Sequence, residues 1–393
     1  MFILLIIFTS AWSQRDSKSY LKGIAAEIDG SPDSAIYHFT RAINQEHVVP
    51  EYYLHRGRMY MKNKNYALAK KDFIKANELQ EGIAMYDLAK LHAIQNLPGE
   101  AMRYLKAYLA SENKKPAGKI KLDKDFRHVE GTSEWTETWN IDWYTEEELL
   151  LNEIYFALNY GNFTEALYKS NDFIHHYPEN PGGYHARAIA YEGISNFKNA
   201  LDDINEAIKI KKDTGFYHSR AKIHLKLGVK EAALDDYYNM LYLVPENLPI
   251  YLKTSMLHAD LGDHARAEKD IQEYLTFFNT HQGLFIAGEV YYESGNYFQA
   301  LKMYNKLLNE DTSKASYFKA RGKTYLKSRM YKYALKDLSM ALDLTPDDPE
   351  IYYYHAKARF LSGDKEGACR DWKKSFRLGM KEAMEEIVNH CNF

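Results

Sequence analysis

One small residue recurs along this chain and constrains its fold more than any other feature. Ala35, Ala69, Ala101, Ala166, Ala200, Ala233, Ala267, Ala300, Ala334 and Ala368 follow one another at 32 to 34 residues, apart from one gap of 65, close to two periods. Four residues after the Ala there is usually a large apolar side chain: Phe39, Phe73, Leu105, Ile204, Tyr237, Ile271, Tyr304, Leu338 or Trp372. Twelve residues before it there is usually a small one: Gly23, Gly57, Ala89, Ala188, Ala221, Ser255, Gly288, Gly322 or Ala356. On a helix, residues four apart share a face, so the Ala and the bulky residue line one contact. A period near 34 holds two helices of roughly three to four turns and two short turns. Small residues at fixed places on both helices let the two backbones approach closely.

The punctuation agrees. Gly or Asn interrupts the pattern in "KNKNY", "NYGNF", "GISNF" and "ESGNY", and Pro178, Pro245 and Pro346 stop second helices. Hydrophobic residues are 46%, charged residues 27%, and the formal net charge is -3. That balance suits a folded chain and gives no basis for nucleic acid or an anionic membrane as the main partner.

The segments "YYLHRGRMYMKNKNYALAKKDFIKA", "GYHARAIAYEGISNFKNALDDINEAI" and "SYFKARGKTYLKSRMYKYALKDLSMALDLTP" resemble the tetratricopeptide repeat (TPR) family. With the Ala placed at position 20, ten repeats begin near residues 16, 50, 82, 147, 181, 214, 248, 281, 315 and 349. The expected fold is an all-α solenoid, a right-handed superhelix of helical hairpins. Positions 7 and 23 support the register independently, because they carry matched charges. The pairs are Arg56 with Asp72, Arg187 with Asp203, Arg220 with Asp236, Arg321 with Asp337 and, with signs exchanged, Glu153 with Lys169. Each is expected to be a partly buried ion pair that orients its two helices.

The expected organisation has five parts. Residues 1–13 read as a signal peptide, with an apolar run and small residues at Ala11 and Ser13 but no basic residue at the start. Residues 16–113 hold repeats 1–3, 114–146 a Trp-rich insertion, 147–379 repeats 4–10, and 380–393 a C-terminal capping helix. A stack exposes an apolar face at each end, so caps are required. In the tail, Ala383, Ile387 and Cys391 stand at helical spacing. The tail also resembles the ending of exported bacterial TPR proteins, which implies a periplasmic or secreted location. The chain's two Cys, Cys369 and Cys391, either form a disulfide that staples the cap to the last repeat or remain as two thiols.

In the insertion, Trp135, Trp139 and Trp143 are four apart. Thr132 or Ser133 would cap a short helix there. Thr145 with Glu148 makes a capping box for the next repeat, and Tyr144 with Leu149 a hydrophobic staple. Trp143 is expected at the mouth of the fourth repeat, with Trp135 and Trp139 filling the gap between repeats three and four. Exposed indoles would instead indicate a binding surface.

No catalytic constellation, cofactor motif or metal set emerges. Gly322-Lys323-Thr324 lacks the Gly that a phosphate-binding loop requires five residues earlier. His175 and His176 are adjacent, so a helix cannot aim both at one metal. His92, His224 and His258 occupy position 11, where other repeats carry Tyr, and read as core-edge residues. There is no Cys-x-x-Cys pair. Asn162-Phe163-Thr164 is a glycosylation sequon that matters only in a eukaryotic secretory pathway. The chain therefore reads as a non-enzyme.

What remains is a surface. The family resemblance implies that first-helix positions 2, 5, 9, 12 and 13 line a concave groove. Here these supply Tyr86, Tyr155, His185, His218, Lys222, Phe285, Tyr292, Lys323, Tyr353 and Lys357. Aromatics beside cations suit an extended peptide or a partner helix. The family's clamp for a C-terminal carboxylate needs Asn and Lys at set positions, and position 9 here has no Asn. The expected function is a protein-binding scaffold or adaptor using the groove. Two further readings are a structural subunit of an envelope or secretion assembly, and a regulatory or substrate-presenting partner of an enzyme on another chain.

Overall fold

The computed structural model describes residues 18–391. The signal-peptide reading of residues 1–13 lies outside the described residues. Within them the chain is helical throughout, with no strand. It divides into two compact units, one ending at Leu248 and the other beginning at Pro249. The division falls inside the stretch read as an uninterrupted run of repeats 4–10. Pro245 and Pro249 bracket it, and the helix that follows starts only at Ile250.

The first unit contains three helical hairpins: α1 (Lys18–Ile28) with α2 (Pro32–Gln45), α3 (Pro50–Lys62) with α4 (Tyr66–Leu79), and α5 (Met85–Ile94) with α6 (Pro98–Leu109). The insertion follows, with α7 (Ala117–Lys121), a 3-10 turn (Lys124–Phe126) and α8 (Ser133–Trp139). Three more hairpins complete the unit: α9 (Glu146–Asn159) with α10 (Phe163–His176), α11 (Pro181–Gly193) with α12 (Phe197–Ile210), and α13 (Thr214–Lys226) with α14 (Lys230–Leu243).

The second unit has α15 (Ile250–Asp260) with α16 (His264–Phe277), α17 (His281–Glu293) with α18 (Tyr297–Glu310), α19 (Ala315–Lys327) with α20 (Tyr331–Leu344), and α21 (Pro349–Leu361) with α22 (Lys365–Arg377). The chain's last described helix is α23 (Ala383–His390).

Local chemistry starts and turns these helices. Pro32, Pro50, Pro98, Pro181 and Pro349 stand in the first turn, where the missing N–H costs nothing. Asn65, Asn196, Asp213, Asp263, Thr280, Asp348 and Asp364 accept backbone N–H bonds as N-caps. Every hairpin turns on one residue at repeat position 15 with positive φ. It is Gly at 30, 161, 228, 262, 295 and 363, and Lys64, Asn96, Ser195 or Arg329 in the others.

The recurrent Ala is fully buried in all ten repeats. A Cβ added to Gly57 would sit 2.6 Å from the Phe73 ring, so the aromatic at position 24 occupies the space the small residue leaves. The ion pairs form at the same junction. Arg56 makes two bonds of 2.8 Å to Asp72, Arg187 two of 2.7 Å to Asp203, and Arg321 bonds of 2.6 and 2.8 Å to Asp337. Arg220 reaches Asp236 at 2.7 Å, and Lys169 reaches Glu153 at 2.9 Å.

Each of those four Arg also donates backward to the second helix of the preceding hairpin. The acceptors are Thr40, Asn171, Asn205 and Asn305, at 2.7 to 3.1 Å. One guanidinium therefore ties three helices together. The tenth repeat uses His355 with Asp371 at 2.7 Å in the same two places.

At the C-terminus, Cys369 and Cys391 are joined by a disulfide. Ala383 and Ile387 pack on Trp372, so α23 covers the last hairpin.

Candidate functional site

The candidate surface is the set of first-helix faces, where positions 5, 9 and 12 of neighbouring hairpins meet. In the first three hairpins this face is closed. Tyr20 and Leu54 are buried, the Tyr20 and Tyr52 rings stand 4.8 Å apart, and Arg58 makes two 3.0 Å bonds to Asp87.

Tyr86, expected to line an open groove, is instead buried beneath the insertion. Its hydroxyl donates to Asp123 at 2.8 Å, and Lys90 pairs with Asp123 at 3.3 Å and Asp125 at 2.7 Å. The reason is apolar. Ile120, Phe126 and Val129 are fully buried against α5 and α6, which draws the acidic segment between them onto the Tyr–Lys pair.

The Trp cluster belongs to the same core. Trp135, Trp139 and Trp143 are half-buried and pack with the third repeat. Thr132 caps α8, and the helix stops at Trp139, so the three indoles do not share one helical face. Trp143 reaches back to donate to the Thr138 carbonyl at 2.7 Å. It packs on the core of the third repeat and the insertion, just before Thr145, the N-cap of α9. Thr145 and Glu148 form the capping box of α9. Leu149 is exposed, and the Tyr144 hydroxyl donates to the Lys115 carbonyl at 2.6 Å.

Beyond the insertion the face is partly open. Tyr155 of α9 bonds the Nδ1 of His185 on α11 at 2.8 Å, and its Nε2 lies 2.9 Å from the Ser219 hydroxyl on α13. The Phe216 ring packs 4.8 Å from the imidazole. Burial pushes the His185 pKa down to about 4, against a weaker opposing pull from Asp213. A neutral imidazole, donating from one nitrogen and accepting at the other, satisfies both neighbours. Lys222 is half-exposed and shares Glu192 with Lys226, at 3.2 and 2.9 Å. His218 lies half-buried on the same helix as Lys222.

In the second unit, Phe285 packs 5.7 Å from Tyr317 and 6.0 Å from Tyr304. Lys323 stands 4.9 Å over the Tyr354 ring and 5.8 Å from Tyr292, and pairs with Glu350 at 3.2 Å. Lys319 reaches the same Glu350 at 2.7 Å. Lys357 stacks 4.6 Å over Tyr353 and pairs with Glu386 of the capping helix at 3.0 Å. Burial disfavours the charge on each of these lysines. The hydroxyls and carboxylates around them outweigh it, so all three titrate above the usual lysine range.

The acidic partners Glu192 and Glu350 and the bridging Ser219 had no distinct mark in the sequence, because each repeat carries many carboxylates and hydroxyls. They stand at repeat positions 12, 2 and 6, and only pairing across hairpins distinguishes them. Among the described residues no helix is long and apolar enough to cross a membrane.

The tetratricopeptide repeat family model matches residues 50–82. The chain is 24% identical over 218 residues to the DnaJ homolog subfamily C member 3 of Gallus gallus, covering 56% of this chain and 40% of that protein. It is 26% identical over 240 residues to a TPR repeat-containing protein of Methanocaldococcus jannaschii, covering 54% of this chain and 40% of that one. The chain thus spans less than half the length of these curated relatives.

The crystal structure of the C-terminal part of a TPR repeat-containing protein from Cytophaga hutchinsonii superposes with a TM-score of 0.50. Its identity is 18%, and 60% of this chain and 98% of that chain are covered. With the hairpin geometry above, the chain is a tetratricopeptide repeat protein with an α-solenoid fold. Repeats of this type generally mediate protein–protein interaction.

Proposed function

We propose that this chain is a non-enzymatic adaptor that holds a peptide or protein segment on the first-helix faces of its repeats. The observation that carries the reading is the half-buried aromatic and cationic surface of the second unit. There Phe285, Tyr292, Lys323, Tyr353 and Lys357 come from successive hairpins, with Lys323 held by Glu350, and Lys357 and Tyr353 held by Glu386. Pre-positioned side chains of this kind lose little entropy on binding, which favours recognition of an extended segment. The disulfide at the C-terminus supports an oxidising, exported location, since such bonds persist there.

The test is site-specific photo-crosslinking from positions 285 and 292 in the producing cell, followed by mass spectrometry. One partner segment should crosslink from both positions and be lost in Phe285→Ala/Lys323→Glu. A partner that survives this variant but is lost on Trp135→Ala/Trp139→Ala would overturn the groove reading. It would favour a structural subunit that works through its outer face and insertion. Hydrolase or transferase turnover by the purified chain would remove the non-enzymatic claim.

A further inference from the structure

The insertion leaves one helix without its usual cover. Elsewhere in the chain, first-helix position 10 is closed off. Met59, Leu91, Ala190, Ile223, Val290, Thr324 and Ala358, each preceded by a hairpin of its own unit, are all between 0 and 5% exposed. Within each unit, the second helix of one hairpin packs on the first helix of the next, as α10 does on α11 and α20 on α21.

In the fourth repeat the position-10 residue is Phe156, and it is 64% exposed. Leu149 and Tyr160 lie on the same face at helical spacing, 51% and 70% exposed. The Phe156 and Tyr160 rings stand 4.6 Å apart.

The cause is visible one hairpin earlier. The Trp helix α8 packs on α6, the helix that in a regular stack would meet α9. Trp135, Trp139 and Trp143 finish the third repeat as a cap would. The chain closes one array and starts another, and the starting face of the second array stays apolar.

We propose that this face, built from Leu149 and Phe156 on α9 and Tyr160 at its C-cap, docks an amphipathic helix of a partner protein that carries basic residues beside its apolar stripe. The helical form follows from the sister repeats, where the equivalent surface is covered by a helix. The charge follows from the rim. Glu153 stands on the same face between Leu149 and Phe156, Glu146 lies one turn before Leu149, and the nearby cation Lys169 is shared between Glu153 at 2.9 Å and Glu165 at 3.3 Å. An excess of carboxylate remains, and a basic helix complements it. A second copy of the chain would bring the same carboxylates face to face across a two-fold axis. The inference is separate from the groove reading, because Phe156 lies on a different face of α9 from Tyr155.

The probe is a fluorescein-labelled peptide of residues 197–211, a second helix that covers position 10 of the next repeat. A basic version carries Asp202→Lys and Glu206→Lys, both exposed positions in the chain. Anisotropy titration should show the full chain binding the basic peptide more tightly than the parent. Phe156→Glu/Tyr160→Glu should weaken binding at least about tenfold, the scale of losing one buried aromatic anchor. Leu149→Lys is the second variant, and thermal melts establish that each stays folded. Three results would overturn the proposal: no binding of the basic peptide, equal binding to the variants, or a wild-type dimer in sedimentation that the variants abolish.

Discussion

Arg321 shows how much one side chain does in this fold. It holds the nearly buried Asp337, reaches Asn305 on the preceding hairpin, and lies 5.8 Å from the Tyr325 ring. Replacing Arg321 by Met should destabilise the chain by about 3 kcal/mol, because a buried carboxylate loses its partner. Arg321→Met/Asp337→Leu should recover much of that in urea unfolding, since the charged pair itself adds little net stability. His185 gives a pH signature. Its pKa is depressed to about 4, below its ordinary value. Between those values the unfolded chain binds the proton and the folded chain does not. Stability is therefore fully present above pH ~6.5 and falls as pH drops toward 4, by an amount on the order of 1–3 kcal/mol. His185→Gln should remove that part of the slope in melts taken between pH 7 and 4.5. The Arg–Asp pairs were legible in the sequence because charge repeats at fixed spacing. The backward bonds to Thr40, Asn171, Asn205 and Asn305 were not read, although all four acceptors stand at repeat position 25, because the pairing runs from one hairpin to the one before it.

At the scale of elements, the hairpin turn is a fixed geometry filled by different residues. Arg329 and Ser195 hold φ of 61° in a turn where six sister repeats use Gly. Arg329→Gly should raise stability by up to about 1 kcal/mol through relief of that strain, read as an upward shift of the melting temperature. The insertion behaves as a cap, and its anchor is Phe126, fully buried against the third repeat. Phe126→Ala should cost roughly 3–5 kcal/mol. Hydrogen exchange should place the loss in α5, α6 and the insertion, with α11 to α14 little changed. Equal loss of protection across the whole first unit would show that the insertion is not a local cap. Its helix start was readable from Thr132, and the capping box from Thr145 and Glu148, because both are local chemistry. The cover it places over Tyr86 was not readable, since it depends on where Ile120 and Val129 find their apolar contacts.

Across the whole molecule the C-terminal staple sets the end of the array. The disulfide spans a separation of 22 residues. Closing a loop of that length is worth about 3 kcal/mol in the chain-entropy account. Reduction, or Cys369→Ala/Cys391→Ala, should lower stability by about that amount. Hydrogen exchange should show α23 opening first. The sequence by itself determined the repeat length, the register, the helix pairing and the buried Ala and Arg–Asp junctions. The Ala recurs ten times and the Arg–Asp pair four, and both rest on spacing along one or two helices. The tertiary structure alone decided which first-helix faces are open. It buried Tyr86 beneath Asp123, linked Tyr155 through His185 to Ser219, gave the lysines of the second unit to Glu350 and Glu386, and left Phe156 exposed. Each of these is set by a neighbour from another hairpin or from the insertion. A period tells which residues share a face, but not what packs against it.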